Sequence, residues 1–439
     1  MTTERSSSTR SWLRLNAIVV LALALFSCYA TERFVVRART DLFTFGDLRA
    51  FYCSAHVALS YEDPYLAEPL GACERATIAL RRTDFVLPAP IPPFAIAFLE
   101  PASRLDFETF SRIWCIALTL NFFFICGALS KVTEIPYVLV ALTLLPLGLM
   151  LPLELGQLVP LCLGLLLCAT VLVGHGRDRL AALFAAAAMF EPQIALPVCV
   201  ALCIARSRSR IVFAGAAILA FAIAEWTVGS QAMMEYGLRV IPEHVVSEAR
   251  LDGQYSLTYI LGWLHVPINL SIALGKVSYV FFATVGITGG VGLFAKNHDA
   301  RDLVFLPLAL SVVFGPYVHL EHLLAALPLA LLLVSRASRR WQFMAIITII
   351  LVAWPAKFLA ILSGVPGGAA PINIGVLGLS PLSLADSVWQ ARVEPNSAHL
   401  PYLLMNVPTW IGLLGIVFGT IALLAQAPLL PAFRSAIRR

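Results

Sequence analysis

Long apolar runs, separated by short turns that carry arginine, set the rhythm of this chain. After Arg5, Arg10 and Arg14 comes a run at residues 15–30, then a long polar stretch, then runs at 110–129, 136–153, 158–174, 180–205, 212–228, 272–295, 303–314, 318–334, 343–362 and 405–425. A hydrocarbon layer about 30 Å thick selects helical segments of this kind, because a helix satisfies its own backbone hydrogen bonds where water cannot. The pattern predicts an all-α polytopic membrane protein. It leaves no stretch for a separate soluble domain, so residues 1–439 read as a single integral membrane domain. The first run resembles a signal peptide ending at Ser27-Cys28-Tyr29-Ala30 as well as a helix. Parity decides for a retained helix. With the N-terminus in the cytoplasm, the later short basic turns (Arg177 and Arg179; Arg206, Arg208 and Arg210) and the tail with Arg434, Arg438 and Arg439 fall on that same side. The longer connections, 31–109, 229–271 and 363–404, then face outward.

One run departs from this scheme. Residues 180–205 could span once, but basic clusters bracket both ends. Two half-helices that dip in and turn at Glu191-Pro192 keep both clusters on one side, since proline interrupts the helical ladder. Residues 88–101 are too short and proline-rich to cross, and are expected to form an interfacial helix.

Composition narrows the function classes. Hydrophobic residues make up 59% and charged residues 13% of the chain, and the formal charge of +5 lies in turns that orient a membrane protein. Membrane lipids are implied as partners and nucleic acid is not. Of nine cysteines, Cys28, Cys115, Cys126, Cys162, Cys168, Cys199 and Cys203 sit in apolar runs and act as small hydrophobes. Cys53 and Cys73 share the first long connection, where a disulfide would form if that connection faces an oxidising compartment and the geometry permits. No metal-ligand spacing and no phosphate-binding glycine loop is present, so no metal or cofactor is expected.

Candidate chemistry gathers on the outward side. The stretch 45–66, FGDLRAFYCSAHVALSYEDPYL, is read as a polar, aromatic loop directly after the first helix. Asp47 in it is either a solvated loop acid or a base that takes the proton of an alcohol attacking a sugar anomeric carbon. Arg49 could grip a phosphate, or simply be solvated. Glu154 and Gln157 flank Gly156 at one turn, Glu191 and Gln193 flank Pro192 at another, and His319, Glu321 and His322 open a later run. Polar groups at such depth are functional candidates by default. His322 could pair with a phosphate oxygen or steer a hydroxyl; the His319/His322 spacing also permits a metal, but no third ligand is evident.

The ordered set GDLRAFYCSAHVALSYEDPYL, PIPPFAIAFLEP, ELGQLVPLCLGLLL, FEPQIALP, GQYSLTYILG and FGPYVHLEHLLAALP resembles glycosyltransferase family 87, the polyprenyl-phosphate-mannose-dependent mannosyltransferases, over about residues 15–335. The resemblance implies a GT-C-like bundle of about 10–13 transmembrane helices with a long first extracytoplasmic loop, residues 31–109. It implies inverting transfer of a sugar, mannose in the family, from a polyprenyl-phosphate donor to a hydroxyl of an extracytoplasmic glycolipid or glycan. Asp47 matches the family's first-loop aspartate, the general base, and Tyr52 and Tyr65 its aromatic positions. Gln157 matches a Gly-Gln turn, His322 the histidine of a late motif in which Gly315-Pro316 and Leu320 depart from the pattern, and Ser256 an Asn-Gln-Ser-Leu type motif. Arg49, Glu191, Gln193 and His319 join these as substrate-binding candidates. Where the family carries Lys-Pro, this chain has Glu191-Pro192. A lysine would meet the lipid phosphate, whereas glutamate would repel it unless protonated or paired. Two other readings stay open: a degenerate relative that binds lipid or a partner without catalysis, and a lipid or sugar transporter. The short arginine-rich turns suit a bacterial plasma membrane, with the active face extracytoplasmic.

Overall fold

The computed structural model describes residues 17–39, 46–77, 89–248, 254–356, 358–359 and 400–425. The N-terminal arginines, Gly253, Lys357 and the basic tail lie outside them. The described residues form helices and no sheet, an all-α polytopic membrane protein. Among the described residues, five helical stretches are long and apolar enough to cross a membrane: Phe107–Thr133, Tyr137–Leu155, Ser207–Val246, Ile268–Asn297 and Leu404–Ala425.

In chain order, α1 is Ala17–Arg39, followed by α2 Gly46–Leu59, α3 Ala67–Thr77 and α4 Pro93–Leu99. The expected loop at 45–66 is therefore largely helix: Gly46 and Asp47 open α2, and small and apolar residues on it (Leu48, Ala50, Phe51, Cys53, Ala55) pack inward. Propensity carried this, because after Gly46 the stretch has no proline or glycine until Pro64. The expected interfacial helix is α4, started by Pro92 and Pro93 at its N-terminus. Next come α5 (Phe107–Thr133), begun by the Asp106 side chain accepting the Thr109 N–H at 2.9 Å, and α6 (Tyr137–Leu155), which passes through a π-helical turn at Leu145–Met150. Then follow α7 (Val159–Gly174), α8 (Asp178–Ala187), α9 (Pro192–Ala205) and α10 (Ser207–Glu235). The helix α10 bends at Gly229 (φ 82°, ψ 164°), which ends the crossing near Val228 as the apolar pattern requires. Beyond lie α11 (Ile241–Glu248), α12 (Leu257–Trp263), α13 (Ile268–Asn297), α14 (Ala300–Leu310), α15 (Leu327–Arg336), α16 (Arg339–Ala353) and α17 (Leu400–Ala425).

Two hairpins of short helices stand at the centre. In the first, the α8 and α9 helices run antiparallel. Asp178 pairs with Arg206 at 3.3 Å, and Cys199 Sγ donates to Ala185 O at 3.4 Å. Both pairings are symmetric about residue 192, so Glu191-Pro192 is the tip, as its flanking arginines predict. At about 1.5 Å per residue, the 14 residues of α9 reach about 21 Å, short of a full crossing. The second hairpin corrects the sequence reading. Residues 303–314 and 318–334 are expected to be two spans, but α14 has 11 residues and α15 has 10, with a 3-10 turn at Glu321–Ala326 before α15. Their far ends meet: Arg336 donates to Asp302 Oδ1, and at 2.6 Å to Asp299 Oδ2. The apolar count alone cannot separate a short hairpin buried in protein from two crossings, because both are apolar throughout.

The opposite face is closed by the same charges. Arg301 donates from Nε to Asp299 Oδ1 at 2.8 Å and from a terminal nitrogen to Val132 O at 2.7 Å, tying α14 to the end of α5. The Arg206 guanidinium lies 4.7 Å from the centre of the Phe294 ring, joining the first hairpin to α13.

Close backbone approach joins α13 to α14. A Cβ on Gly286 would come within 2.8 Å of Pro307 Cα, and one on Gly290 within 2.8 Å of Asp302 O. Small residues one turn apart let two helices touch where no hydrophobic force between them operates in lipid. Gly286→Val is expected to destabilise the protein by about 1–3 kcal/mol through overpacking, read as a lowered Tm in detergent. Gly215→Ala in α10, where a Cβ meets nothing within 4 Å, should leave the Tm unchanged or raise it.

Candidate active site

The tips of the hairpins and the turn between α6 and α7 converge under the start of α2. That turn ends α6 with Gly156 in the left-handed region (φ 83°), and a Cβ there would lie 2.2 Å from Leu48 Cβ. Only glycine permits both the backbone angle and the contact. The Trp114 indole on α5 donates to Gly156 O at 3.1 Å and fixes the turn from below. This approach brings the Gln157 amide onto Asp47, where its Nε2 donates to Oδ2. Asp47 lies in the first turn of α2, where the helix dipole favours a carboxylate.

The α2 helix is anchored to α3 twice. Cys53 and Cys73 form a disulfide, and Arg49 faces Glu74 at 3.7 Å. Burial lowers the Arg49 pKa, while Glu74 and Asp47 push it back up, so the guanidinium stays charged beside the carboxylate. Arg49 is thus held between the two acids rather than projected into water.

The hairpin tips meet below Asp47. Gln193 Nε2 lies 2.6 Å from Glu191 Oε2 and 3.3 Å from His322 Nε2, bridging the two hairpins. The Gln193 carbonyl accepts the Tyr279 hydroxyl from α13 at 2.9 Å. His322 Nδ1 accepts the His319 N–H at 3.1 Å. Glu191 lies within electrostatic reach of Asp47, Glu321 and His319. Glu154, Gln157, Glu191, Glu321 and His322 are all buried. The two histidines do not share a regular helix face as the spacing suggests, since His319 precedes the 3-10 turn that carries His322.

Among the described residues, no group of three or more His, Cys, Asp or Glu could hold a metal ion. Asp47 and Glu191 are instead paired with side-chain amides, those of Gln157 and Gln193.

Not every predicted residue reaches this cluster. The Tyr52 hydroxyl donates to Leu105 O at 2.8 Å and that of Tyr65 to Ile91 O at 3.0 Å, so both rings are placed as struts that seat α2 and the following turn on residues 89–114. Ser256 is buried and caps α12, its Oγ accepting the Tyr259 N–H at 3.1 Å. Sequence reasoning passed over Gln254 as a functional residue. Its Oε1 accepts the Val318 N–H at 2.8 Å, its Nε2 lies 3.1 Å from His319 Nε2, and its carbonyl accepts from Asn406 at 3.2 Å. Main-chain bonds from Tyr255 to Val318 O (2.7 Å) and Leu257 to Gly315 O (3.2 Å) lay this segment beside the histidine turn. The signal was the Gly253-Gln254-Tyr255-Ser256 run itself, of which the serine was singled out. Tyr236 was also missed. It stacks near Tyr65 at 5.6 Å, reaches Pro90 O at 3.3 Å and lies within reach of Glu191.

The model of glycosyltransferase family 87 matches residues 91–316, more than half of the chain. The chain belongs to glycosyltransferase family 87. The matched span holds α4 through α14, including the Gln157 turn and the first hairpin with Glu191; His322 lies shortly after its end, whereas Asp47, in α2, lies well before its start at residue 91. No curated protein and no solved structure matches the chain significantly. Membership makes it a membrane glycosyltransferase, with a sugar donor and an acceptor as substrates.

In this glycosyltransferase the Gly156 contact seats the start of α2 on the turn that carries Gln157. Gly156→Ala is expected to push α2, and with it the candidate Asp47, off the turn and cut sugar transfer at least about tenfold, the scale of effect that a displacement of up to an ångström has near a reaction centre. Gln157→Ala should reduce transfer with little change in Tm. Initial rates and thermal unfolding of the two variants separate the effects.

Proposed function

We propose that the protein transfers a sugar, mannose by family resemblance, from a polyprenyl-phosphate donor to a hydroxyl of an extracytoplasmic glycolipid or glycan, with inversion at the anomeric carbon. The observation that carries this reading is the Asp47 carboxylate. It is held by Gln157 at the head of a helix that is disulfide-anchored and lies directly over the polar tips of two membrane hairpins. A base in that position takes the acceptor proton while the donor's tail stays in lipid.

On this reading Asp47 removes the acceptor proton, and Arg49, His319 and His322 lie close enough to the same cluster to balance the charge that develops on the leaving phosphate. Gln157 and Gln193 orient the carboxylate and the imidazole. Tyr52, Tyr65 and Ser256 support the site by holding its walls. The Cys53–Cys73 disulfide favours an oxidising compartment for residues 31–109, and hence an extracytoplasmic active face at a plasma membrane. The shared core of α2 and α4 with α5 and α10 favours one integral domain over a detachable loop.

The test is transfer from radiolabelled polyprenyl-phosphate mannose to a lipid extract by the purified protein in liposomes, compared with Asp47→Asn. The expected outcome is transfer by the parent and a loss of about 10²–10⁴-fold in the variant. Transfer by both would remove Asp47 from the chemistry. Transfer by neither, with donor binding intact, would favour a relative that binds its lipid without turning it over.

A further inference from the structure

Glu191, Gln193 and His322 meet at one point, the amide end of Gln193. That atom lies 2.6 Å from Glu191 Oε2 and 3.3 Å from His322 Nε2. The hydrogen positions follow from a fixed donor next door. The His319 main-chain N–H points at His322 Nδ1 at 3.1 Å, so Nδ1 accepts. An imidazole that accepts at one nitrogen carries its proton on the other, which places N–H at Nε2, facing Gln193. An amide NH2 there would set donor against donor.

The two ends of a glutamine amide are nearly equal in shape, and their assignment follows the hydrogen-bond partners. With the oxygen at the shared position, it accepts from His322 Nε2. The same oxygen then faces Glu191 Oε2 at 2.6 Å, a distance typical of O–H···O hydrogen bonds. Two acceptors approach that closely only if one of them carries a hydrogen, and the carboxyl group is the one that can.

The surroundings point the same way. The titratable groups within reach of Glu191 are Asp47, Glu321, His319, Tyr236 and Cys162, with His322 behind Gln193. Two of the five are acids, Tyr236 and Cys162 are ordinarily neutral, His319 is the one basic group, and no lysine or arginine is among them. An ionised Glu191 would add a third like charge in a buried cluster, which is costly.

We propose that Glu191 stands as a neutral carboxylic acid that donates to the Gln193 amide oxygen, and that this pair fixes the Nε2–H form of His322. The tip then presents an anionic lipid phosphate with a neutral, proton-bearing wall where a glutamate charge would repel it. Glu191 is a positioning residue on this account, acting through Gln193 on His322. Its protonation stands on the hydrogen-bond geometry; its bearing on phosphate rests on the proposed transferase reading.

The experiment has two arms. Infrared spectra of the reconstituted protein at neutral pH are expected to show a carboxylic-acid carbonyl band that disappears in Glu191→Gln and persists in Glu321→Gln. In the transfer assay, Glu191→Gln, which mimics the neutral acid, should flatten the alkaline limb of the pH–rate profile and lose less activity than Glu191→Lys. Glu191→Lys should lose about tenfold or more, the effect of breaking buried hydrogen bonds. A spectrum with no band lost in Glu191→Gln, or an alkaline limb unchanged by that substitution, would overturn the proposal. If no protein transfers sugar, the transferase reading fails, and the infrared band alone decides the protonation.

Discussion

The charges that close the two short hairpins set the level at which everything else in the protein sits. Asp178 with Arg206, and Asp299 and Asp302 with Arg336, clamp the open ends of helix pairs too short to cross a bilayer. With the ends clamped, the helix lengths alone determine how high the tips stand, about 21 Å for the first hairpin. Backbone groups at the tips are not helical, and such backbone is tolerated at that depth only inside protein. The long helices α5, α10, α13 and α17 supply the enclosure. Their exposed faces carry residues such as Ile116, Leu120, Ile218, Phe221, Val277 and Phe418, suited to lipid.

From this follows the layered character of the site. The floor is made of side chains on the hairpin tips, and the roof is α2 with its aspartate. Tyr52, Tyr65 and Tyr236 join the roof to its supports through hydrogen bonds to main-chain carbonyls, which fix position without placing charge near the centre. The site's polar groups then satisfy one another through amides: Gln157 on Asp47, Gln193 on Glu191 and His322, Gln254 on His319. Each amide comes from a different segment, so the cluster assembles only when the whole bundle has packed.

Much of this was legible in the residues. The full-length spans, the end of an apolar run at Val228 and the tip at Glu191-Pro192 followed from apolar length, arginine placement and proline. The α14/α15 hairpin was not legible, because hydropathy does not record whether an apolar segment faces lipid or protein. The helical form of 46–59 was hidden by its polar and aromatic content, which reads as loop until its small residues are seen to pack. Among the residues that cluster at the candidate site, Asp47, Gln157, Glu191, Gln193, His319 and His322 stood out in sequence because charge or amide at depth is conspicuous. Gln254 and Tyr236 were missed because their importance lies in whom they meet, and that depends on contacts across 65 or more positions of chain. Tyr52, Tyr65 and Ser256 look like binding groups in sequence, yet their hydroxyls or caps are spent on the backbone.

The bend at Gly229 has a wider meaning. Its φ of 82° with ψ of 164° belongs to a region that essentially glycine alone occupies. There the chain turns, and the residues that follow reach the first long connection, where Tyr236 touches Pro90 and Tyr65. Two long connections, far apart in sequence, thereby become a single canopy hung from one pivot. The angle of that pivot therefore sets where Tyr236 meets Pro90 and Tyr65, so a residue with no side chain decides how the two connections join.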